Sequence, residues 1–180
     1  MTKKKIATVW LGGCSGCHMS LLDIDERILE VAKLADIVKC PIVDGKEIPD
    51  VDITLVEGSI TSDEHLHEIL HIRMHSKFVV AMGDCAVTSN ITGMRNYFDM
   101  KEVFERSYIG VASDDGQGEL PNHPVLLKLH EKVVPLQEVI DVDFVLPGCP
   151  PNADTIFYVL HEFLNDRTPD LGEVKKLKYG

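Results

Sequence analysis

The fold of this 180-residue chain is decided near its start by residues 6–18, which read IATVWLGGCSGCH. The apolar run Ile6–Leu11 is typical of a buried strand, and a glycine-rich loop with Cys14 and Cys17 follows it directly. Beyond this loop, apolar residues at helical spacing predict a helix from about His18 to Leu34. A strand, a loop and a helix in this order begin a βαβ unit.

Apolar runs alternate with helical patterns along the rest of the chain, as in a parallel sheet with helices on both faces. Further helices are predicted from a cap at Thr61 or Ser62 to about His75, near Val125–Lys132, and over Ala153–Leu164. We predict an α/β fold of the flavodoxin-like, doubly wound kind, in one domain over residues 1–165 with a C-terminal tail over 166–180. The five parallel strands are predicted at Ile6–Leu11, Ile37–Val43, Ile53–Val56, Phe78–Met82 and Val142–Leu146.

Four of the five cysteines follow predicted strands. Cys14 and Cys17 come after the first strand, Cys85 after the fourth and Cys149 after the fifth. Because loops at the carboxyl ends of parallel strands converge on one crevice, we expect these thiols to face a common centre. Four thiolates around one point indicate a metal ion or an iron–sulfur cluster. Cys40 lies inside the second predicted strand and is expected to be a core thiol.

Three other interpretations of the cysteines remain open. Cys14 and Cys17 match a thioredoxin-like redox pair, which leaves Cys85 and Cys149 unexplained. A structural zinc site with four cysteines ordinarily uses two closely spaced pairs, whereas this chain has one. Single cysteines after strands can also be ordinary buried residues.

A second metal motif provides a rival hypothesis of another class. His67, Glu68 and His71 match the His-Glu-X-X-His pattern of zinc hydrolases, in which two imidazoles share one helix face. Met74 and Lys77 stand where the extended form of that motif has glycine and histidine. The helix is rich in histidine, so a solvated polar face is the competing interpretation.

Composition and charge narrow the function classes. The net charge of −11, from 18 basic and 29 acidic residues, opposes nucleic-acid binding. No apolar run approaches the roughly 20 residues that span a bilayer. The apolar stretch Ile6–Leu11 is too short for a secretory signal, and we expect a cytoplasmic protein, where paired cysteines more often bind metal or do redox work than form structural disulfides.

Four ordered motifs carry a resemblance that covers about residues 5–165. The chain resembles small subunits of [NiFe]-hydrogenases, and the stretch 83–96 is most similar to those of soluble, bidirectional NAD(P)-reducing hydrogenases. In that family the matching cysteines hold a [4Fe–4S] cluster beside the nickel–iron centre, so the resemblance implies Cys14, Cys17, Cys85 and Cys149 as ligands. The motifs are CSGC at 14–17, EGSI at 57–60, GDCA at 83–86 and PGCPP at 147–151.

The resemblance also implies cofactors and partners. Membrane-bound and periplasmic relatives add a C-terminal domain with further clusters, and no cysteine follows Cys149 here, so one cluster is expected. The nickel–iron site needs two Cys-X-X-Cys pairs and is therefore expected in a large partner subunit. Flavin- and cluster-bearing diaphorase subunits would take the electrons on to NAD(P)⁺, and an FMN is implied at or near this subunit. A related complex-I subunit, linked to quinone, has adjacent cysteines at the first site and is the alternative.

Glu57 closes the third predicted strand at the same edge as the cysteines. A carboxyl group beside a desolvated anionic cluster is a candidate proton relay. The competing interpretation is a carboxylate that accepts backbone N–H bonds in the loop. We expect a large and obligate interface that buries Glu57 and the cysteine loops.

Overall fold

A five-stranded, fully parallel sheet forms the centre of the molecule. The computed structural model describes residues 3–43, 47–110 and 118–173. The spatial order of the strands is β2-β1-β3-β5-β7, which confirms the predicted flavodoxin-like α/β fold. These strands are β1 (Lys4–Trp10), β2 (Ala35–Lys39), β3 (Val51–Glu57), β5 (Ser76–Met82) and β7 (Phe144–Leu146).

Both faces of the sheet are buried because helices cover each of them. Successive residues of a strand point to opposite faces, and Leu55 and Val56 on the central strand accordingly belong to two different apolar clusters. The helices are α1 (Gly16–Leu22), α2 (Ile28–Leu34), α3 (Asp63–His75), α4 (Asp84–Thr88), α5 (Asn90–Gly93), α6 (Met100–Phe104) and α7 (Ala153–Leu164). The helices α1, α2 and α7 pack on one face, and α3 packs on the other.

The long helix predicted for residues 18–34 is wrong in its middle. Asp25 has a φ of 52°, and the segment divides into α1, a 3₁₀ turn at Asp25–Arg27, and α2. Leu22 and Leu29, whose spacing suggested a buried stripe, are exposed. The strand β2 ends at Lys39, so Cys40 lies just beyond it and is half-buried, not the core thiol that we expected.

The helix predicted near Val125–Lys132 is also wrong. The strand β6 (Leu129–Val134) occupies the end of this segment and pairs antiparallel with β4 (Ile60–Ser62). The side chain of Asn96 stabilises the strand, since it accepts from Val133 N–H at 2.8 Å and donates to Val133 O at 2.7 Å. Hydrogen bonds with distant segments thus stabilise a strand where the local sequence pattern predicted a short helix.

Two features complete the fold. Within the described residues no helix is long and apolar enough to cross a membrane. The first part of the predicted tail packs on the domain, because Pro169 is buried and Leu171 contacts the apolar cluster under α7. Residues 174–180 of that tail, and 111–117 before β6, lie outside the described residues.

Candidate metal centre

The loops that carry the cysteines are joined by backbone hydrogen bonds at the carboxyl edge of the sheet. Gly83 N–H donates to Leu146 O at 2.8 Å, and Asp84 N–H donates to Gly148 O at 2.9 Å. The Asp84 carboxylate accepts from Gly148 N–H at 2.7 Å. The loop before Cys85 is thereby fixed to the loop before Cys149.

The α1 segment is held against the same two loops. Ser20 Oγ donates to Pro151 O at 2.5 Å, which ties the helix of Cys17 to the loop of Cys149. At Gly83, whose φ is 87°, a Cβ would overlap Sγ of Cys17. Only glycine adopts this backbone conformation without strain and leaves room for the sulfur.

Burial and nearby acidic groups influence the thiols of Cys17 and Cys149. Burial raises the pKa of Cys17 strongly, and Glu57 and the other three cysteines raise it further. Burial is also the largest cause of the raised pKa of Cys149, with smaller contributions from Cys85, Asp84 and Cys14, while Asn90 lowers it through a hydrogen bond. Thiols with raised pKa values stay protonated at neutral pH unless a positive centre compensates the thiolate charge.

Accessibility differs among the four sulfur-bearing residues. Cys17 is buried, Cys85 is half-buried, and Cys14 and Cys149 are exposed. The site is therefore closed by the protein on one side and open at the molecular surface on the other. A partner that covers the open side would complete it.

Four thiols are the donor set of an iron–sulfur cluster. Among residues 3–43, 47–110 and 118–173, no three His, Cys, Asp or Glu side chains are placed to hold one metal ion. A [4Fe–4S] cluster takes one thiolate at each of four separate irons, so its ligands need not meet at a point. The soft sulfur donors fit such a cluster, and glycine at position 83 leaves room for the sulfur of Cys17.

Within the described residues, the side chains of the rival zinc motif do not form a three-ligand site. His67 and His71 are exposed on α3, and Glu68 lies 3.2 Å from Lys39 Nζ in an ion pair. His71 packs against the ring of His75, which in turn lies 2.8 Å from Asp50. In the described part of the chain these groups form a polar surface, in agreement with the competing interpretation.

Glu57 lies beside the cysteines, as its position at the end of the third strand predicted. Its side chain is almost fully buried, with the residue 1% exposed. The Oε2 atom accepts from His18 N–H at 2.9 Å and lies 2.5 Å from His18 Nδ1. The predicted backbone N–H bond to the carboxylate is therefore present, and a histidine contact accompanies it.

His18 is a site residue that sequence reasoning missed. The histidine follows Cys17 directly, and its ring lies inside the protein, with Nε2 buried and without a hydrogen-bond partner in the described chain. The sequence shows that His18 is adjacent to a cysteine. Its contact with Glu57 was not, because 39 residues separate the two.

The fold and site define a class of protein: a flavodoxin-like domain with four cysteines at the carboxyl edge of its sheet. The chain belongs to the family described as NADH ubiquinone oxidoreductase, 20 kDa subunit, whose model matches residues 14–163.

Relatives and a solved structure confirm the resemblance to hydrogenase small subunits. One relative, from the F420-non-reducing hydrogenase of Methanothermobacter marburgensis, is 42% identical over 173 residues, which are 94% of this chain and 56% of that protein. The chain thus spans little more than half of that relative. The delta subunit of the NAD-reducing hydrogenase HoxS of Cupriavidus necator is 36% identical over 172 residues, 94% of this chain and 82% of that subunit. A crystal structure of an NAD⁺-reducing [NiFe]-hydrogenase in the H₂-reduced state has a chain that superposes with a TM-score of 0.94 at 34% identity, covering 99% of this chain and 100% of that one.

Proposed function

We propose that the chain is the electron-transfer small subunit of a cytoplasmic, NAD(P)-linked [NiFe]-hydrogenase. In this proposal Cys14, Cys17, Cys85 and Cys149 hold a single [4Fe–4S] cluster. The observation that carries it is the convergence of three loops with four cysteines at one sheet edge, in a chain that matches a subunit of an NAD⁺-reducing [NiFe]-hydrogenase over its whole length. When bound, the cluster would take up and release one electron at a time.

The chain's own residues would support this role in distinct ways. Gly83 leaves space for the sulfur of Cys17, and the bonds between Asp84 and Gly148 keep Cys85 and Cys149 in register. Burial around Cys17 excludes water from the inner side of the site. Exclusion of water strengthens the electrostatic interactions that set the potential of a buried redox group.

A partner subunit is inferred because this sequence has too few cysteines for a nickel–iron site. A nickel–iron site takes four further cysteines, and the only other one in the sequence is Cys40. We therefore place H₂ cleavage in a large partner subunit that covers the open side of the site, beside Cys14 and Cys149. Flavin- and cluster-bearing diaphorase subunits would pass the electrons to NAD(P)⁺. We assign no FMN contacts to this chain, because cysteines fill the loop after β1 where a flavodoxin-like fold would bind the phosphate.

In the complex-I-like alternative, the chain would hold the same [4Fe–4S] cluster, but its complex would be linked to quinone and not to H₂. The Ser-Gly spacer between Cys14 and Cys17, together with the similarity to hydrogenase subunits, favours the hydrogenase. H₂-dependent reduction of a viologen dye by the purified complex would support the hydrogenase. Quinone reduction by NADH without any H₂ activity would support the alternative.

Glu57 is proposed to carry protons between the H₂ site of the large subunit and the solvent. Its support is its position, since it is buried next to the cysteines and within the region that the partner would cover. Carboxyl groups transfer protons efficiently when they lie within hydrogen-bond reach of the donor and acceptor.

Replacement of single cysteines tests the cluster assignment. Anaerobically purified complex should contain four irons and four sulfides for this chain, and Cys17→Ser and Cys85→Ser should each lower both contents and weaken the reduced cluster's electron paramagnetic resonance signal. Cys40→Ser is the matched control, because Cys40 follows the edge strand β2, which β1 and β3 separate from the strands that lead to Cys85 and Cys149, and it should leave iron and signal unchanged. Full iron in the Cys17→Ser and Cys85→Ser proteins, or stoichiometric zinc in its place, would contradict the assignment.

A further inference from the structure

His18 holds one particular oxygen of Glu57. Its backbone N–H lies 2.9 Å from Oε2, and its ring atom Nδ1 lies 2.5 Å from the same atom. The other oxygen, Oε1, has no hydrogen bond to any described residue. One residue therefore contacts one carboxyl oxygen twice, through its backbone N–H and its ring nitrogen, and leaves the second oxygen available.

Because only Oε2 contacts His18, the two oxygens of the Glu57 carboxyl group are not equivalent for proton exchange. Oε2 already accepts from the His18 N–H and contacts the ring, so it has less capacity to receive a proton than Oε1, which keeps its lone pairs. A glutamate side chain has several staggered rotamers, and contacts with its neighbours select among them. The two bonds from His18 select the orientation in which Oε1 is the exchanging atom.

Within the described chain, the ring of His18 has a free nitrogen at Nε2. Its Nε2 is buried, and no described residue lies within hydrogen-bond distance of it. Within the described residues, the imidazole has one partner, the Glu57 carboxyl group at Nδ1. The geometry is that of a group that orients its neighbour.

We infer that His18 is a positioning residue, which fixes Glu57 through Oε2 so that proton exchange takes place at Oε1. This inference rests on the proposed proton-carrying role of Glu57 and adds the residue that makes it effective. Misplacement of a reacting group by about 1 Å can cost about a hundredfold in rate, so loss of the ring contact should be measurable.

Three substitutions of His18 in the assembled hydrogenase complex separate positioning from packing. His18→Asn places an amide N–H near the position of Nδ1, His18→Gln moves that N–H one bond further away, and His18→Leu keeps bulk without a donor. The backbone N–H remains in all three. The assay is the exchange of D₂ with H₂O, which requires escape of the deuteron from the active site, alongside para-to-ortho H₂ conversion, which does not.

We expect His18→Leu to lower D₂/H₂O exchange by at least about tenfold, with an increased share of HD among the products and with para-to-ortho conversion unchanged. His18→Asn should restore most of the exchange, and His18→Gln should restore little. The infrared carboxyl bands that disappear in Glu57→Gln should be shifted in His18→Leu and unshifted in His18→Asn. Iron content provides the folding control for every variant.

These measurements distinguish failure of the proposed role of Glu57 from failure of the inferred role of His18. Unchanged exchange in Glu57→Gln would overturn the proton-carrying role of Glu57, and the inference about His18 with it. Slowed exchange in Glu57→Gln, combined with equal exchange in His18→Leu, His18→Asn and the unchanged complex, would overturn the role of His18 alone. If His18→Leu does not assemble, equal exchange in His18→Asn and His18→Gln would overturn it.

Discussion

At the scale of single residues, the site depends on one glycine as much as on its cysteines. Gly83 has φ 87° and ψ 159°, a backbone region that residues with a Cβ rarely enter. The same position lies against Sγ of Cys17. The backbone conformation at position 83 and the room needed by the Cys17 sulfur therefore both require glycine.

Gly83→Ala should destabilise the chain and impair cluster incorporation. The disfavoured backbone conformation costs about 1–3 kcal/mol, and the new Cβ would displace the sulfur of Cys17. We expect a lower thermal midpoint and less iron per chain, measured by thermal unfolding and iron analysis. Gly110→Ala is the matched control, because its Cβ would lie 3.7 Å from the nearest atom, Glu105 O, in ordinary contact. A Gly83→Ala protein with full iron and an unchanged midpoint would show that this packing does not matter.

At the scale of elements, the sequence predicted what depends on local pattern. The strands β1, β3 and β5 were visible as apolar runs, because strands buried on both faces are apolar at nearly every position. The strand β6 was missed because its burial pattern is mostly exposed and its partner β4 lies far away in the sequence. The division between α1 and α2 was missed because it depends on one backbone angle, at Asp25.

In the candidate site too, some features could be predicted from the sequence and others could not. Cys14, Cys17, Cys85, Cys149 and Glu57 could be placed at one edge because topology alone brings strand ends together. Their burial, and the contact of Glu57 with His18, could not, because both depend on side-chain packing between distant segments. The cluster itself remains a prediction until iron is measured.

The helix α3 contains a histidine that should make stability depend on pH. His65 is half-buried, its Nδ1 accepts from Thr61 N–H at 3.3 Å, and burial is the main cause that lowers its pKa. The unfolded chain therefore binds a proton at His65 in a pH range where the folded chain does not. Stability is then fully present above the ordinary histidine pKa of about 6.5 and is lost as the pH falls below it.

His65→Asn should flatten this dependence. The asparagine oxygen can accept the Thr61 N–H but does not titrate, so the decrease in thermal midpoint between about pH 7 and pH 5 should become smaller than in the unchanged chain. His67→Asn, a substitution at an exposed position of the same helix, is the control and should leave the slope as it was. Equal slopes in all three proteins would mean that His65 does not contribute to acid sensitivity.

At the scale of the whole molecule, exposed apolar side chains occur on the elements that carry the cysteines. Met19 and Leu22 lie on α1, and Ile91, Tyr97 and Phe98 follow Cys85 in the chain; all are large and exposed, with Tyr97 87% exposed. Interfaces that are permanent resemble a domain core divided in two. The segments next to Cys17 and after Cys85 thus carry exposed apolar surface, as an obligate partner would require.

Met19→Ser should weaken binding of the large subunit without affecting the fold. Met19 is 57% exposed and two residues from Cys17, so its removal costs contact area in the complex and little in the free chain. A residue near the centre of an interface contributes about 1–3 kcal/mol, which corresponds to a roughly 5- to 150-fold weaker dissociation constant. Met74→Ser is the matched control, because Met74 is 74% exposed near the end of α3, which leads into the amino end of β5 and so lies at the opposite edge of the sheet. Binding of purified large subunit to each immobilised variant gives the constants, and thermal unfolding shows that the fold is kept. Equal affinities for the two variants would mean that the partner does not cover the cysteine edge, and the proposed electron path from the large subunit would then lose its structural basis.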